Sequence, residues 1–114
     1  MANIKAETAS GTIAFEAEKD KRLVLAIEDA GIDILHRCGG NARCTTCRVE
    51  VLAGDPGPVT ENEAAILSTK PDLSERTRLS CQILVMDDLH VKVINQASVA
   101  GIDAGPRPDD QIPA

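Results

Sequence analysis

At 114 residues, with 43% apolar and 26% charged side chains, the chain is long enough for one hydrophobic core and too short for two ordinary ones. One Phe and no Trp or Tyr leave the core to Ile, Leu, Val and Ala and leave little for bases to stack on, which argues against nucleic acid as a partner. A net charge of −6, from 18 acids and 12 bases, disfavours phosphate backbones and anionic lipid and suits a basic partner. No apolar run reaches spanning length and no signal-like stretch follows Met1, so the expectation is a soluble, unexported, cytoplasmic protein without membrane insertion.

Taken in chain order, Asn3 to Thr8 and Thr12 to Ala17 each alternate apolar and polar residues around Ala9-Ser10-Gly11, which predicts a hairpin. Leu23, Ile27 and Ala30, flanked by Val24, recur at helical spacing and predict a helix over Lys21 to Ala30, with Asp20 as N-cap and Gly31 just past its end. Arg48 to Leu52 alternates again and stops at Gly54-Asp55-Pro56-Gly57-Pro58, a turn. Thr60-Glu61-Asn62-Glu63 has the capping-box pattern ahead of Ala64 to Leu67, so a short second helix is predicted, bounded by Pro71. Leu79 to Met86 and Leu89 to Ile94 are rich in β-branched and other apolar residues, predicting two strands with Cys81 at the entry to the first. Five strands and two helices in mixed order make an α+β domain over residues 1–95. Residues 96–114, with Gly101, Gly105, Pro106, Pro108 and Pro113, read as a tail, mobile or draped on the surface.

In a reducing compartment four cysteines are metal ligands more often than disulfides. Cys38, Cys44 and Cys47 are spaced C-x5-C-x2-C, and Cys81 stands 34 positions later. Zinc accepts four thiolates, but its ribbons and fingers usually draw them in two close pairs, whereas the split here is three and one. A cluster of two irons and two sulfides needs two ligands per iron and a loop that curls around it. Gly39 and Gly40 lack a Cβ and let the backbone pass close to the sulfides, while Ala42, Thr45 and Thr46 leave room for N–H groups to point at sulfur. Buried structural thiols are the plain alternative, and three of them beside two glycines would be an odd way to fill a core.

The stretch Cys38-Gly39-Gly40-Asn41-Ala42-Arg43-Cys44-Thr45-Thr46-Cys47, with Arg78-Leu79-Ser80-Cys81-Gln82-Ile83, resembles the 2Fe-2S ferredoxins of the adrenodoxin and putidaredoxin type. Five residues between the first two cysteines match that group, where plant-type ferredoxins usually have four. Running from about Ile4 to Ile94, the resemblance implies the β-grasp fold and one 2Fe-2S cluster on Cys38, Cys44, Cys47 and Cys81. It also implies that Cys38 and Cys44 hold the iron nearer the surface, under the loop Gly39, Gly40, Asn41, Ala42 and Arg43. An acid at Glu63 paired with Arg78 follows from the same source, with Arg48 placed to join them where the family often has His.

The chain departs from the pattern in ways that bear on partners. Segment 48–59 is a few residues shorter than in members that serve cytochromes P450. Where members that dock mitochondrial reductases carry several acids on the second helix, this chain keeps Glu61 and has Asn62, Ala65 and Ser68. It has no counterpart of the C-terminal Trp used in the putidaredoxin branch.

Arg37, Arg43, Arg48, Arg76 and Arg78 adjoin or approach the cysteines and could offset cluster charge, although exposed guanidiniums are screened and do little. His36 is read as a bystander, since Rieske-type ligation needs two His in another spacing. His90 has no partner motif, and Glu28-Asp29 and Asp87-Asp88 read as solvated charges. No base, nucleophile or substrate pocket accompanies the cysteines. The leading expectation is therefore a soluble one-electron carrier, not an enzyme, a monomer meeting a ferredoxin reductase and acceptor oxidoreductases transiently. The alternatives are a cluster-based sensor, a dedicated subunit of one complex, or a zinc-stabilised interaction module.

Overall fold

A computed structural model describes residues 2–9, 11–36, 47–57, 59, 61–68, 76–101 and 105. Strands β1 (Ala2–Thr8) and β2 (Gly11–Ala17) pair antiparallel from Ala2↔Ala17 to Thr8↔Gly11, as the alternation predicts. Ala2, Ile4 and Ala6 point into the core while Asn3 and Lys5 point out, because side chains on a strand switch faces at every residue. Phe15 only packs against the core margin and Ile13 remains 36% exposed, since β2 lies at the edge of the sheet.

Helix α1 (Leu23–Asp29) buries Leu23, Val24, Leu25, Ala26 and Ile27 in succession. It starts later than periodicity suggests. Arg22, not Asp20, occupies the N-cap position, and no side chain caps the helix there. Asp20 instead adopts φ 69° and donates its backbone N–H to Val85 O at 2.7 Å, so residues 20–23 run beside another segment rather than opening a helical turn. The far end follows expectation. Gly31 takes φ 88° and donates to Glu28 O, and Ile32 donates to Ile27 O, the double closure of a Schellman motif.

Strands β3 (Arg48–Ala53), β4 (Thr77–Leu79) and β5 (Leu89–Val93) complete a five-stranded mixed sheet in the order β2-β1-β5-β3-β4. β5 runs parallel to β1 and antiparallel to β3. Ile4, Ala6, Val49, Leu79, Val91 and Val93 form its buried face with α1 over them. Helix α2 (Glu61–Leu67) follows the Gly54 to Gly57 turn; Thr60, expected as its cap, lies outside the described residues.

The predicted strand from Leu79 to Met86 is a correction. The strand is β4 and ends at Leu79, a 3-10 turn occupies Ser80–Gln82, and Leu84 makes an isolated antiparallel bridge to Arg22. Ile83 and Val85 are both fully buried, which is what their β-propensity registers; the propensity measures fit to a half-buried surface and not pairing in a sheet. A third, single-turn helix α3 (Ala97–Ala100) was not foreseen. Gln96 ties it down, bridging Ile34, donating to Asp33 Oδ1 at 2.8 Å and accepting from Ala9 N at 2.8 Å.

Gly54, after the bulge where β3 meets β5, has φ 94°, and a Cβ there would stand 2.3 Å from Asp88 O. Gly31 has a similar φ but open space around it. Gly54→Ala is expected to cost about 1–3 kcal/mol beyond the strain of positive φ alone. Urea unfolding of Gly54→Ala beside Gly31→Ala checks this, and equal losses would contradict the steric argument.

Candidate metal centre

Cys47 and Cys81 are described; Cys38 and Cys44, with Gly39, Gly40, Asn41, Ala42 and Arg43 between them, lie outside the described residues, as does Arg37. Cys47 is the turn residue entering β3, and Cys81 is the middle residue of the 3-10 turn leaving β4. Sheet register brings the two together. Arg48 pairs with Leu79, so the residues just outside that pair, Cys47 and Ser80, meet. Ser80 then donates twice to Cys47 O, from its backbone N at 3.2 Å and its Oγ at 2.7 Å. Both cysteines are fully buried and neither forms a disulfide.

The surroundings of Cys81 suit an electron-rich sulfur. Gln82, itself buried, places Nε2 3.6 Å from Cys81 Sγ, within reach for a hydrogen bond to sulfur. Arg22 donates from Nε and Nη2 to Cys81 O at 2.9 and 2.8 Å and is completely buried. Neither residue was singled out from the sequence. Arg22 follows Lys19-Asp20-Lys21, a charge run that reads as a solvated face, and nothing local separates it from its exposed neighbours. Among the described residues no three His, Cys, Asp or Glu converge on one point, and the candidate ligands described are Cys47 and Cys81. Two buried reduced thiols, with a donor at one sulfur and a cation on the adjoining carbonyl, fit an anionic thiolate-held cluster.

Behind the pair stands the predicted Glu63 contact. Arg78 donates from Nε to Glu63 Oε2 at 2.7 Å and from Nη2 to Oε1 at 2.9 Å, the two-point geometry that suits guanidinium to carboxylate. Leu79 N donates to Oε2 at 2.8 Å, and Arg78 Nη1 also reaches Gly57 O at 2.7 Å. Glu63 is fully buried. Arg48 does not complete the arrangement as expected. Its Nε is buried without a hydrogen-bond partner, while the carboxylate is already taken up by Arg78 and the Leu79 amide.

His36 is a buried residue whose Nε2 lies 3.3 Å from Glu28 Oε1. Glu28 and Asp29 are thus not merely solvated: Asp29 pairs with Lys21, and Asp88 accepts from Asn3 N. His90 Nε2 sits 2.7 Å from Glu7 Oε2 on the outer face of the sheet, a close contact without hydrogen-bond alignment. Arg76 is exposed.

Residues 7–86 match the family model of the 2Fe-2S iron-sulfur cluster binding domain. Rhodocoxin of Rhodococcus erythropolis is 42% identical over 79 residues, covering 65% of this chain and 74% of rhodocoxin. A component of the Na(+)-translocating NADH-quinone reductase of Pseudoalteromonas atlantica is 32% identical over 80 residues, 70% of this chain but only 19% of that component's length. Among solved structures, putidaredoxin in its covalent complex with putidaredoxin reductase aligns at a TM-score of 0.69 and 29% identity, over 83% of this chain and 100% of that one. The mixed sheet with its helices is the β-grasp arrangement of the 2Fe-2S ferredoxins.

Removing the Glu63 carboxylate would take away the acceptor of Arg78 Nε and Nη2 and of the Leu79 amide in a buried site. Glu63→Ala is expected to lose about 3–5 kcal/mol of stability, whereas exposed Glu61→Ala stays within about 0.5 kcal/mol of the parent. Chemical unfolding of both variants checks the difference.

Proposed function

Because the chain belongs to the 2Fe-2S iron-sulfur cluster binding domain family, in its adrenodoxin- and putidaredoxin-type branch, and carries one 2Fe-2S cluster, we propose that Cys38, Cys44, Cys47 and Cys81 ligate that cluster and that the protein is a soluble one-electron carrier. The observation that carries the reading is that Cys47, distant in sequence, is hydrogen-bonded through its carbonyl to Ser80, the neighbour of Cys81, with both cysteines fully buried. When bound, a 2Fe-2S cluster supplies a one-electron couple whose potential follows charge, hydrogen bonds to sulfur and exposure.

The chain's own residues supply the rest. Burial of Cys47 and Cys81 keeps water from their sulfurs, Gln82 offers an N–H to one of them, and Ser80 holds the two backbones in register. The Glu63–Arg78 pair fixes α2 to the strand that leads into Cys81. The loop Gly39 to Arg43 is the proposed exit for the electron and the centre of docking. On this reading the protein is the substrate of oxidoreductases and not itself an enzyme. It works as a cytoplasmic monomer, reduced by a ferredoxin reductase, the kind of protein to which putidaredoxin is joined in its complex. No helix among the described residues is long and apolar enough to cross a membrane.

At α2 the exposed residues include Glu61, Ala64, Ala65 and Ser68, so a single acid is offered where a dense acidic patch would steer a basic partner. Steering is what salt removes, and weak steering predicts weak salt dependence.

Iron and sulfide analysis of the purified protein is expected to return about two of each per chain, and Cys47→Ser and Cys81→Ser are each expected to lose the visible absorption of the cluster. Another stoichiometry would overturn the ligand set. Electron transfer from a putidaredoxin-type reductase, followed across an ionic-strength series, is expected to respond more to Arg43→Glu than to Glu61→Lys. The reverse order would move the docking centre to α2.

A further inference from the structure

Gln96 stands where β5 has ended and α3 has not yet begun, on an extended backbone with φ −122° and ψ 143°. Its side chain is buried and joins two segments far apart in sequence. Nε2 donates to Asp33 Oδ1 and Oε1 accepts from Ala9 N, both at 2.8 Å. A carboxylate accepts and a peptide N–H donates, so one primary amide serves both, which neither a carboxylate nor a hydrocarbon of the same length could do. The backbone adds to this hold. Leu35 donates its N–H to Asn95 O at 3.1 Å, Ala97 N donates to Asp33 O at 2.8 Å, and Ile34 forms an antiparallel bridge to Gln96. What is held in this way is the approach to the cysteine loop. Ile32, Ile34, Leu35 and His36 are buried, although residues 32–36 belong to no helix and no strand, and Cys38 follows two positions after His36. Cys47 and Cys81 are placed by the register of β3 and β4, whereas the stretch that leads to Cys38 takes backbone partners from residues 95–97.

We propose that Gln96 is a positioning residue of the metal centre: by tying Asp33 to the hairpin turn at Ala9 it fixes the approach to Cys38, and so governs how slowly the cluster is lost. The inference rests on Cys38 being a cluster ligand. A cluster leaves when a ligand comes away from it, and opening of one segment is governed by the contacts which that segment gives up, not by the stability of the whole domain. The amide of Gln96 makes two such contacts, one of them to a charged group. Gln96 therefore acts on the cluster through the chain that carries its ligand, and residue 96, which the sequence places at the head of a tail, belongs with the cluster-binding unit.

The test is cluster loss from the purified holoprotein, followed as the decay of visible absorption in excess EDTA without denaturant, comparing the parent with Gln96→Leu, Gln96→Glu, Val99→Ala and Gly54→Ala. Gln96→Leu keeps the size of the side chain and removes both hydrogen bonds. It is expected to lose the cluster about tenfold faster than the parent, with faster hydrogen exchange in a peptide spanning residues 32–36. Gln96→Glu keeps an acceptor for Ala9 N and loses the donor to Asp33, and is expected to fall between the parent and Gln96→Leu. Val99→Ala alters an exposed side chain on α3, and Gly54→Ala weakens the fold at the β3–β5 bulge; both are expected to remain within about twofold of the parent. Loss at the parent's rate in both Gln96 variants would overturn the proposal. Loss from Gly54→Ala as fast as from Gln96→Leu would overturn it too, since release would then follow overall stability. Should Gln96→Leu fail to load a cluster, Gln96→Glu decides in the same way. A wrong ligand reading shows itself separately, as a cluster that survives in Cys38→Ser.

Discussion

Between Leu79 and Val85 the chain leaves the sheet, and its backbone polar groups must find partners that no neighbouring strand provides. Each partner comes from a different element. The Glu63 carboxylate on α2 takes the Leu79 amide, the Cys47 carbonyl takes the Ser80 amide, and Arg22 at the start of α1 takes the Cys81 carbonyl. Beyond these, Ile83 O receives Leu23 N and Val85 N donates to Lys21 O. The backbone that carries Cys81 is therefore held from three directions before any metal is considered. A thiol positioned by rigid neighbours is what a cluster site requires, because its ligands must be deprotonated and gathered together at once.

The same constraint explains why charge is buried in a small domain that has little apolar volume to spare. Glu63 and Arg78 satisfy each other by two hydrogen bonds, and the Leu79 amide takes a further place on the carboxylate, so the pair costs less than its burial alone would suggest. Its contribution is better described as fixing how α2 sits against β4 than as net stability. Arg22 belongs to a different case. Two of its donors meet the carbonyl oxygen of Cys81 and so tie the start of α1 to a thiol-bearing residue.

The fold does not choose the partner. A matching stretch makes up most of rhodocoxin and a 19% share of the much longer component of the NADH-quinone reductase, so one cluster-binding unit serves proteins of different organisation. What distinguishes members is surface chemistry. Here α2 exposes Ala64, Ala65 and Ser68 around Glu61, a face on which electrostatic attraction has little to act. Where electrostatic steering is weak, the rate of association responds little to ionic strength.

Sequence alone determined the parts that depend on local periodicity and on the identity of a few side chains. Alternation marked β1, β2 and β3, helical spacing marked α1, and the three-and-one spacing of the cysteines together with the resemblance pointed to the cluster. The Glu63–Arg78 contact, 15 residues apart, was legible only through the resemblance, since no local rule pairs them. Tertiary structure decided the rest. It converted the apolar run after Leu79 from a strand into a 3-10 turn and a bridge, because those side chains reach buried surface under α1 without joining the sheet. It also took Arg22 out of a charged run and sealed it against Cys81. The reason is that 59 residues separate the two in sequence: a cation's worth depends on what the fold lays over it, and no window of the chain contains both.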